Sequence, residues 1–402
     1  MEGWFLEVAK GIGKVFLHPL LYWFILLTIL TSLTRIKQER KQFGTKVFDV
    51  FSEWHRTWSV SILSGLVLSV ITIGIGFMLD PAVILLLAVI TFLLTLTKRF
   101  TWLSAAYTFG FTYLLLLSVL PYIDESFDVQ WLEPWKQGLF NFHFVSFAIL
   151  LGLFVIIEAI LLFRVTRQES FPELVKGNRG KWIGQHRVKK LAMIPFFTLV
   201  PGGAILPIAD WWPVFQIDGQ SYGLIVLPIV IGFEHVFRGA LPTKFSRHLG
   251  QSVLLLGLLT LALAIAGMYV PILATVAVIV ALVGREFISY RHRIIDQQKK
   301  PFFSPDPTGL FILGVIPGGP ADILGLLPGE KINKVNGQTV HNEEQFYEAL
   351  QLNSAFCKLD IIDDRGEVRF VQRAMYQGEH HELGLLFVKD QYRQEVENRK
   401  LD

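Results

Sequence analysis

The residues of this 402-residue chain that could carry out chemistry are few, and the familiar catalytic motifs do not occur in its sequence. A zinc peptidase needs the helical pattern H-E-x-x-H, and a serine hydrolase needs the strained turn G-x-S-x-G. Neither pattern occurs, and neither does a glycine-rich phosphate loop ending in Gly-Lys-Ser or Gly-Lys-Thr. The sequence therefore favours a protein that is not an enzyme, and it disfavours a membrane protease in particular.

Two short clusters contain residue types that bind metal ions, the run His380–Glu382 and the pair Glu234–His235. Neither has two histidines at the i, i+4 spacing of a helical zinc site, so we predict polar groups at a surface or interface. The single cysteine, Cys357, excludes an intramolecular disulfide and a thiolate cluster within one chain. We therefore expect no metal and no cofactor.

Glu158 is the residue most suggestive of transport, because it lies in the apolar run Leu150–Leu162. An ionised carboxylate is costly there and usually faces a partner or a water path. One interpretation is a proton or ion site; the other is a hydrogen bond inside the helix bundle, with the charge removed by protonation or met by Arg164. Prolines and glycines from Pro195 to Pro207 interrupt one apolar run, as in broken transporter helices, but no inverted repeat matches it. A peptide-gated transporter that uses Glu158 is thus an alternative hypothesis.

The apolar content of the chain requires a large lipid-facing surface. Hydrophobic residues make up 52% of the sequence and the mean hydropathy is +0.46, more than a water-soluble core uses. The surplus lies in runs of about twenty residues, the length of a helix that crosses a bilayer, and no cleavable signal peptide precedes the first run. We predict a membrane α-helical bundle of nine spans, or eight if one short turn is a kink: Val15–Leu33, Trp58–Met78, Pro81–Thr97, Trp102–Leu120, Phe144–Phe163, Leu191–Ala209, Tyr222–Phe237, Ser252–Met268 and Pro271–Val283.

Lysine and arginine are concentrated in alternate loops, which predicts the orientation in the membrane. The basic segments 35–56, 98–99 and 164–190, and everything after Arg285, are expected in the cytoplasm. The acidic loops within 121–141 and 210–218, with tryptophans suited to the interface, are expected outside, as is the amino terminus. The net charge of +3 mostly reflects this bias, so we expect contact with membrane lipid and no nucleic-acid partner.

A mixed α/β pattern replaces the apolar runs at Ser289. We predict a polytopic transmembrane region at 1–288, a polar linker at 289–300, a small α/β domain at 301–390 and a charged tail at 391–402. Asn342, with Gln345 three residues later, predicts a capped helix that ends at Leu352. The predicted strands and the short helix of this domain are Leu310–Ile316, Ala321–Leu324 (helix), Lys331–Val335, Cys357–Ile362, Glu367–Gln372 and Leu383–Val388.

The run Gly314–Asp322, followed by Leu327–Ile332 and Val335–Gly337, resembles the central signature of bacterial PDZ domains. The resemblance covers about 90 residues and implies peptide binding by strand addition, in which a partner's backbone pairs with an edge strand beside a helix. It assigns the groove to a set of strand and helix residues: Leu383, Gly384, Leu385, Leu386, Phe387 and Val388, with Glu343, Tyr347 and Leu350. The carboxylate-binding loop comes last, which implies a permuted strand order, and it begins with Glu382 where the family has glycine. Capture of a free carboxyl terminus or of an internal segment both remain open, as does a plain core strand at Leu383–Val388.

A second resemblance extends over the whole chain. The run Phe16–Trp23 and the basic stretch Arg35–Glu53 resemble the MinJ family of cell-division topology proteins of Firmicutes, in which a multi-span region precedes a cytoplasmic PDZ domain. This resemblance implies a plasma-membrane scaffold at the division septum and cell poles, with the polar protein DivIVA and the division inhibitor MinD as partners. A regulatory subunit that recruits a protease or signalling enzyme is the other alternative, and the oligomeric state is left open.

Overall fold

The computed structural model describes residues 2–122, 133–177, 180–215, 221–353, 356–374 and 383–388. The predicted His380–Glu382 cluster, much of the acidic loop around Asp124, and the charged tail lie outside these residues. Nine α-helices and three strands, with short 3-10 turns between some of them, make up the first part of the described chain. In chain order they are α1 (Glu2–Val15), α2 (Pro19–Phe43), α3 (Trp58–Ile75), α4 (Pro81–Thr95), α5 (Ala105–Val119), α6 (Glu133–Phe140), α7 (Phe144–Phe163), β1 (Phe171–Lys176), β2 (Trp182–Ile205), β3 (Tyr222–Phe237), α8 (Pro242–Ala266) and α9 (Ile272–Gln298).

Six helical stretches in the described residues are long and apolar enough to cross a membrane, and α4 is a shorter apolar helix. The first stretch, Gly3–Phe43, combines α1 and α2. Local chemistry explains where the helices begin. Asp80 accepts a hydrogen bond from the N–H of Ala82 at 2.9 Å, and Pro81 occupies the first helical position, where no N–H is needed. At the start of α2, the side chain of His18 accepts a hydrogen bond from the N–H of Leu20, and Pro19 occupies the first helical position. This new helix start separates α2 from α1.

Two of the nine predicted spans are wrong in type, because Leu191–Ala209 and Tyr222–Phe237 form the long antiparallel hairpin β2–β3. Pro195 lies opposite Pro228 in this hairpin. A proline inside a helix removes a hydrogen bond and clashes with the preceding turn, whereas an antiparallel ladder has residue pairs that exchange no hydrogen bond. At about 3.3 Å per residue, the 24 residues of β2 extend over roughly 75 Å.

Neighbouring groups satisfy the backbone of the hairpin, as any apolar environment requires. The hydroxyl of Ser69 in α3 accepts a hydrogen bond from the N–H of Phe197 at 2.9 Å, and Thr198 donates to the carbonyl of Phe77 at 3.1 Å. The N–H of Leu79 donates to the carbonyl of Leu199 at 3.0 Å. The α3 helix and the segment after it therefore cover an edge of β2.

The remaining elements form the predicted small α/β domain. They are β4 (Leu310–Val315), α10 (Pro320–Ile323), β5 (Lys331–Val335), β6 (Gln338–Thr339), α11 (Glu343–Gln351), β7 (Phe356–Ile362), β8 (Val368–Ala374) and β9 (Leu385–Phe387). The sheet has the order β8-β7-β5-β4-β9, and β6 pairs with β5. The predicted cap of α11 is present, since Asn342 accepts a hydrogen bond from the N–H of Gln345 at 2.8 Å.

The predicted linker at 289–300 is mostly helical, because α9 continues to Gln298. Buried Asp296 explains the extension: its carboxylate accepts hydrogen bonds from the N–H groups of Arg238 and Gly239, both at 2.9 Å. The helix is thereby tied to the end of β3, and the chain leaves it directly at the α/β domain.

Candidate peptide-binding groove

β9 lies at one end of the described sheet and pairs on one side only, with β4. Leu385 lies opposite Val315, and Phe387 opposite Ile312. The other edge of β9 faces away from the sheet, so its N–H and C=O groups are positioned to pair with an added strand. This is the geometry that the predicted groove requires.

Alternate side chains of β9 point to opposite faces of the strand. Leu385 and Phe387 belong to the core of the α/β domain, where the ring of Phe387 lies 5.1 Å from that of Phe346 in α11. Leu386 points the other way and packs against Val47 and Phe48, which lie between α2 and α3. The strand is therefore held between α11 and a segment of the membrane region.

Of the three helix residues assigned to the groove, Glu343 and Tyr347 line the cleft beside β9 and Leu350 does not. Leu350 is 1% exposed and packs in the domain core with Phe346 and Ala349. Spacing explains the difference, since positions 343 and 347 share one face of the helix, while 346, 349 and 350 share the face toward the sheet. Burial of the Tyr347 side chain raises its pKa, and the negative charge of Glu343 raises it further.

The loop before β9 is fixed by backbone contacts. Gly384 has φ +81°, a left-handed conformation that favours glycine. Its carbonyl accepts a hydrogen bond from the N–H of Ile316 at 2.8 Å, and the carbonyl of Leu383 accepts one from Ala321 at 2.9 Å. Leu383 is fully buried in the core, and Val388 packs near Phe303, so neither lines the cleft.

The cleft has a volume of about 550 Å³, within the range of roughly 300–1,000 Å³ typical of ligand sites. Gly384 and β9 line the cleft, together with Ile316, Gly319 and Pro320. One of its walls is formed by Phe43–Lys46, at the end of α2. A larger cleft of about 790 Å³ shares Lys46 and Ile316 with it and continues between the α/β domain and residues 46–56.

The α/β domain is docked on β2 near Gly184 and His186 by apolar and polar contacts. Phe303 is fully buried, and its ring lies 4.6 Å from that of His186. Its carbonyl accepts a hydrogen bond from the N–H of Gly184 at 2.8 Å. At the rim, Arg167 pairs with Asp364 at 2.7 Å, and this hydrogen bond is the main reason that the pKa of Asp364 is lowered.

Glu158 is fully buried and forms an ion pair with Arg285 of α9, at 2.8 Å and 3.0 Å. Of the alternatives considered, the one in which Arg164 balances the charge is therefore wrong, because Arg285 does so. The second carboxylate oxygen of Glu158 accepts hydrogen bonds from the hydroxyl of Ser104 at 2.6 Å and the N–H of Ala105 at 3.2 Å. These contacts satisfy the carboxylate and join α5, α7 and α9.

The pair Glu234–His235, for which polar contacts rather than a metal were predicted, lies beside two arginines. Glu234 pairs with Arg187, and His235 lies 3.2 Å from Arg285. Within the described part of the chain, no group of three or more histidine, cysteine or carboxylate side chains could hold a metal ion.

Sequence reasoning missed three features of this region: Arg285, the docking residue Phe303, and the wall Phe43–Lys46. Arg285 had a signal, since it ends an apolar run and could balance a buried carboxylate. The other two depend on contacts between distant parts of the chain, for which a single sequence carries no local pattern.

Comparisons with known proteins identify a domain family and relatives of the chain. Residues 311–358 match the PDZ domain family. The cell division topological determinant MinJ of Bacillus subtilis (strain 168) is 40% identical over 387 residues, which cover 96% of this chain and 96% of that protein. The probable cell division topological determinant MinJ of Lacticaseibacillus paracasei is 22% identical over 390 residues, covering 92% of this chain and 96% of that protein. No solved structure matches the chain.

Proposed function

This chain belongs to the MinJ family of cell division topological determinants, and from that premise we propose that it is a membrane scaffold whose PDZ groove recruits cell-division proteins. The single observation that carries the proposal is the edge of β9 that pairs with no other described strand, beside α11 and next to a cleft of about 550 Å³. Main-chain pairing supplies affinity at such an edge, and the cleft walls supply selectivity. No step of this function needs a catalytic group.

We further propose DivIVA and MinD as the partners, and the division septum and cell poles of the plasma membrane as the location. The PDZ domain docks at the basic end of the helical region, beside Arg167 and Lys244, which supports a cytoplasmic position. Trp4 lies near Trp212 at the opposite end of the hairpin β2–β3, which supports an external amino terminus.

The contacts of Glu158 favour the scaffold over the transporter hypothesis. A carboxylate that moves protons or ions must change partners, whereas Glu158 is fully buried and is held by Arg285, Ser104 and Ala105. We therefore assign this ion pair to the stability of the helix bundle.

The test is the substitution Gly384→Trp, with Gly366→Trp as its matched control. Both glycines have positive φ, at +81° and +86°, but Gly384 borders the cleft and Gly366 lies in an open turn between β7 and β8. With fluorescent DivIVA and MinD in cells, Gly384→Trp should abolish recruitment of a partner at unchanged protein level, and Gly366→Trp should preserve it. Equal recruitment by both variants would contradict the proposal.

A further inference from the structure

The cleft beside β9 has two walls that come from different parts of the chain. One wall belongs to the PDZ domain and contains Glu343 and Tyr347 of α11. The other belongs to the membrane region and consists of Phe43–Lys46, which we call the α2 wall. The two walls lie on opposite faces of β9, because Phe387 contacts α11 while Leu386 packs on Val47 and Phe48.

The α2 wall is held in place by a buried ionic network. Glu39 accepts hydrogen bonds from the N–H groups of Val47 at 2.9 Å and Phe48 at 3.2 Å. Arg35 joins this carboxylate to Glu53, at 2.5 Å and 2.9 Å. Glu39 and Glu53 are 3% and 0% exposed. The chain following α2 is thus fixed beside β9 before any ligand arrives, which reduces the ordering cost of binding.

The charges of the two walls are opposite. Glu343 places a carboxylate on the α11 wall, and Lys46 places an ammonium group on the α2 wall. Lys46 pairs with Asp49 at 2.6 Å, but Asp49 is 86% exposed in its side chain, and an ammonium group has three donors. The ammonium group of Lys46 can therefore also donate a hydrogen bond to a carboxylate of a ligand.

A strand added to β9 would pass between these walls, with successive side chains pointing to opposite sides. We propose that the groove is a composite site that selects an extended peptide segment with basic residues facing α11 and acidic residues facing Lys46. This inference rests on the proposed function, since it specifies the ligand of the same groove. It assigns part of the selectivity to the membrane region rather than to the PDZ domain alone.

The experiment is a selection of random ten-residue peptides displayed on phage, performed on the full-length chain in lipid nanodiscs. Four forms are compared: wild type, Lys46→Glu, Glu343→Lys and the control Lys37→Glu, an exposed residue of α2 that does not line the cleft. Wild type should enrich peptides with acidic and basic residues at alternating positions. With Lys46→Glu, the enriched peptides should carry basic residues at the positions that are acidic for wild type. With Glu343→Lys, they should carry acidic residues at the positions that are basic for wild type.

A synthetic peptide chosen on wild type should bind Lys46→Glu about tenfold more weakly, and its charge-swapped version should restore the affinity. Binding to Lys37→Glu should be unchanged. Suppose that the selected peptides bind wild type, do not bind Gly384→Trp and bind Lys46→Glu as tightly as wild type. The composite site is then wrong, while the proposed groove stands. If no selected peptide depends on Gly384, both the groove and the composite site are wrong.

Discussion

Replacing Glu158 by glutamine should destabilise the helix bundle severely. Glutamine keeps an oxygen that can accept hydrogen bonds from Ser104 and Ala105, but it leaves the fully buried guanidinium of Arg285 without its counter-charge. Breaking a buried ion pair by removing one partner costs about 3–5 kcal/mol. The double substitution Glu158→Gln with Arg285→Gln removes both charges, so we expect it to recover at least half of that loss.

The assay is unfolding of the purified full-length chain in mixed micelles, followed by tryptophan fluorescence, for the wild type, both single variants and the double variant. The double-mutant cycle isolates the interaction between the two side chains. Recruitment of partners by the double variant should be normal. A stable Glu158→Gln protein, or a stable double variant that has lost recruitment, would refute a purely structural role and support a proton or ion site.

Three further outcomes follow from the α/β domain. Phe303→Ala should remove roughly 3–5 kcal/mol of packing energy at the docking surface and accelerate amide exchange at Gly184. Phe370→Ala changes a side chain that is 69% exposed and should leave exchange at Gly184 unaltered. Equal exchange rates in the two variants would contradict the docking role of Phe303. Burial raises the pKa of Cys357 to about 12, so a thiol reagent at pH 8 should label this cysteine only after unfolding, and rapid labelling of the native protein would contradict its buried position. Desolvation raises the pKa of Asp306, but hydrogen bonds from Lys331 and Thr308 outweigh it and lower the pKa from 3.8 to about 2. The contribution of Asp306 to the free energy of unfolding is therefore present above pH 4 and lost as the pH falls toward 2. Asp306→Asn should reduce this acid-dependent loss of stability by up to about 1 kcal/mol, because the pair is accessible to solvent, and an unaltered acid profile would count against the ion pair.

The PDZ domain was predictable because its signals are local. The turn at Gly318, the cap at Asn342 and the alternating apolar residues of the strands each lie within a few residues of one another. The predicted strands are confirmed, including the last one at β9. Leu350 was misplaced because position 350 is three residues from Tyr347 and four from Phe346, so spacing allows either face of α11. The packing of Leu350 with Phe346 and Ala349 assigns it to the face toward the sheet.

The hairpin β2–β3 was not predictable from hydropathy. A strand that is covered on both faces has a continuous apolar sequence, so its length and composition match those of a spanning helix. Prolines inside both runs, among them the opposed pair Pro195 and Pro228, were a local indication against helices. The α2 wall could not be foreseen either, since Lys46 and Gly384 come together only when the membrane region and the PDZ domain dock.

The central claim, that partners bind at the edge of β9 opposite β4, is tested most directly by photo-crosslinking in cells. A photoreactive amino acid at Tyr347 reports on the cleft, and one at Phe370 in β8 reports on the opposite end of the sheet. We predict that DivIVA or MinD crosslinks to position 347 and not to position 370, and that Gly384→Trp abolishes the crosslink. Crosslinking at position 370 alone, or a crosslink at 347 that survives Gly384→Trp, would contradict the claim.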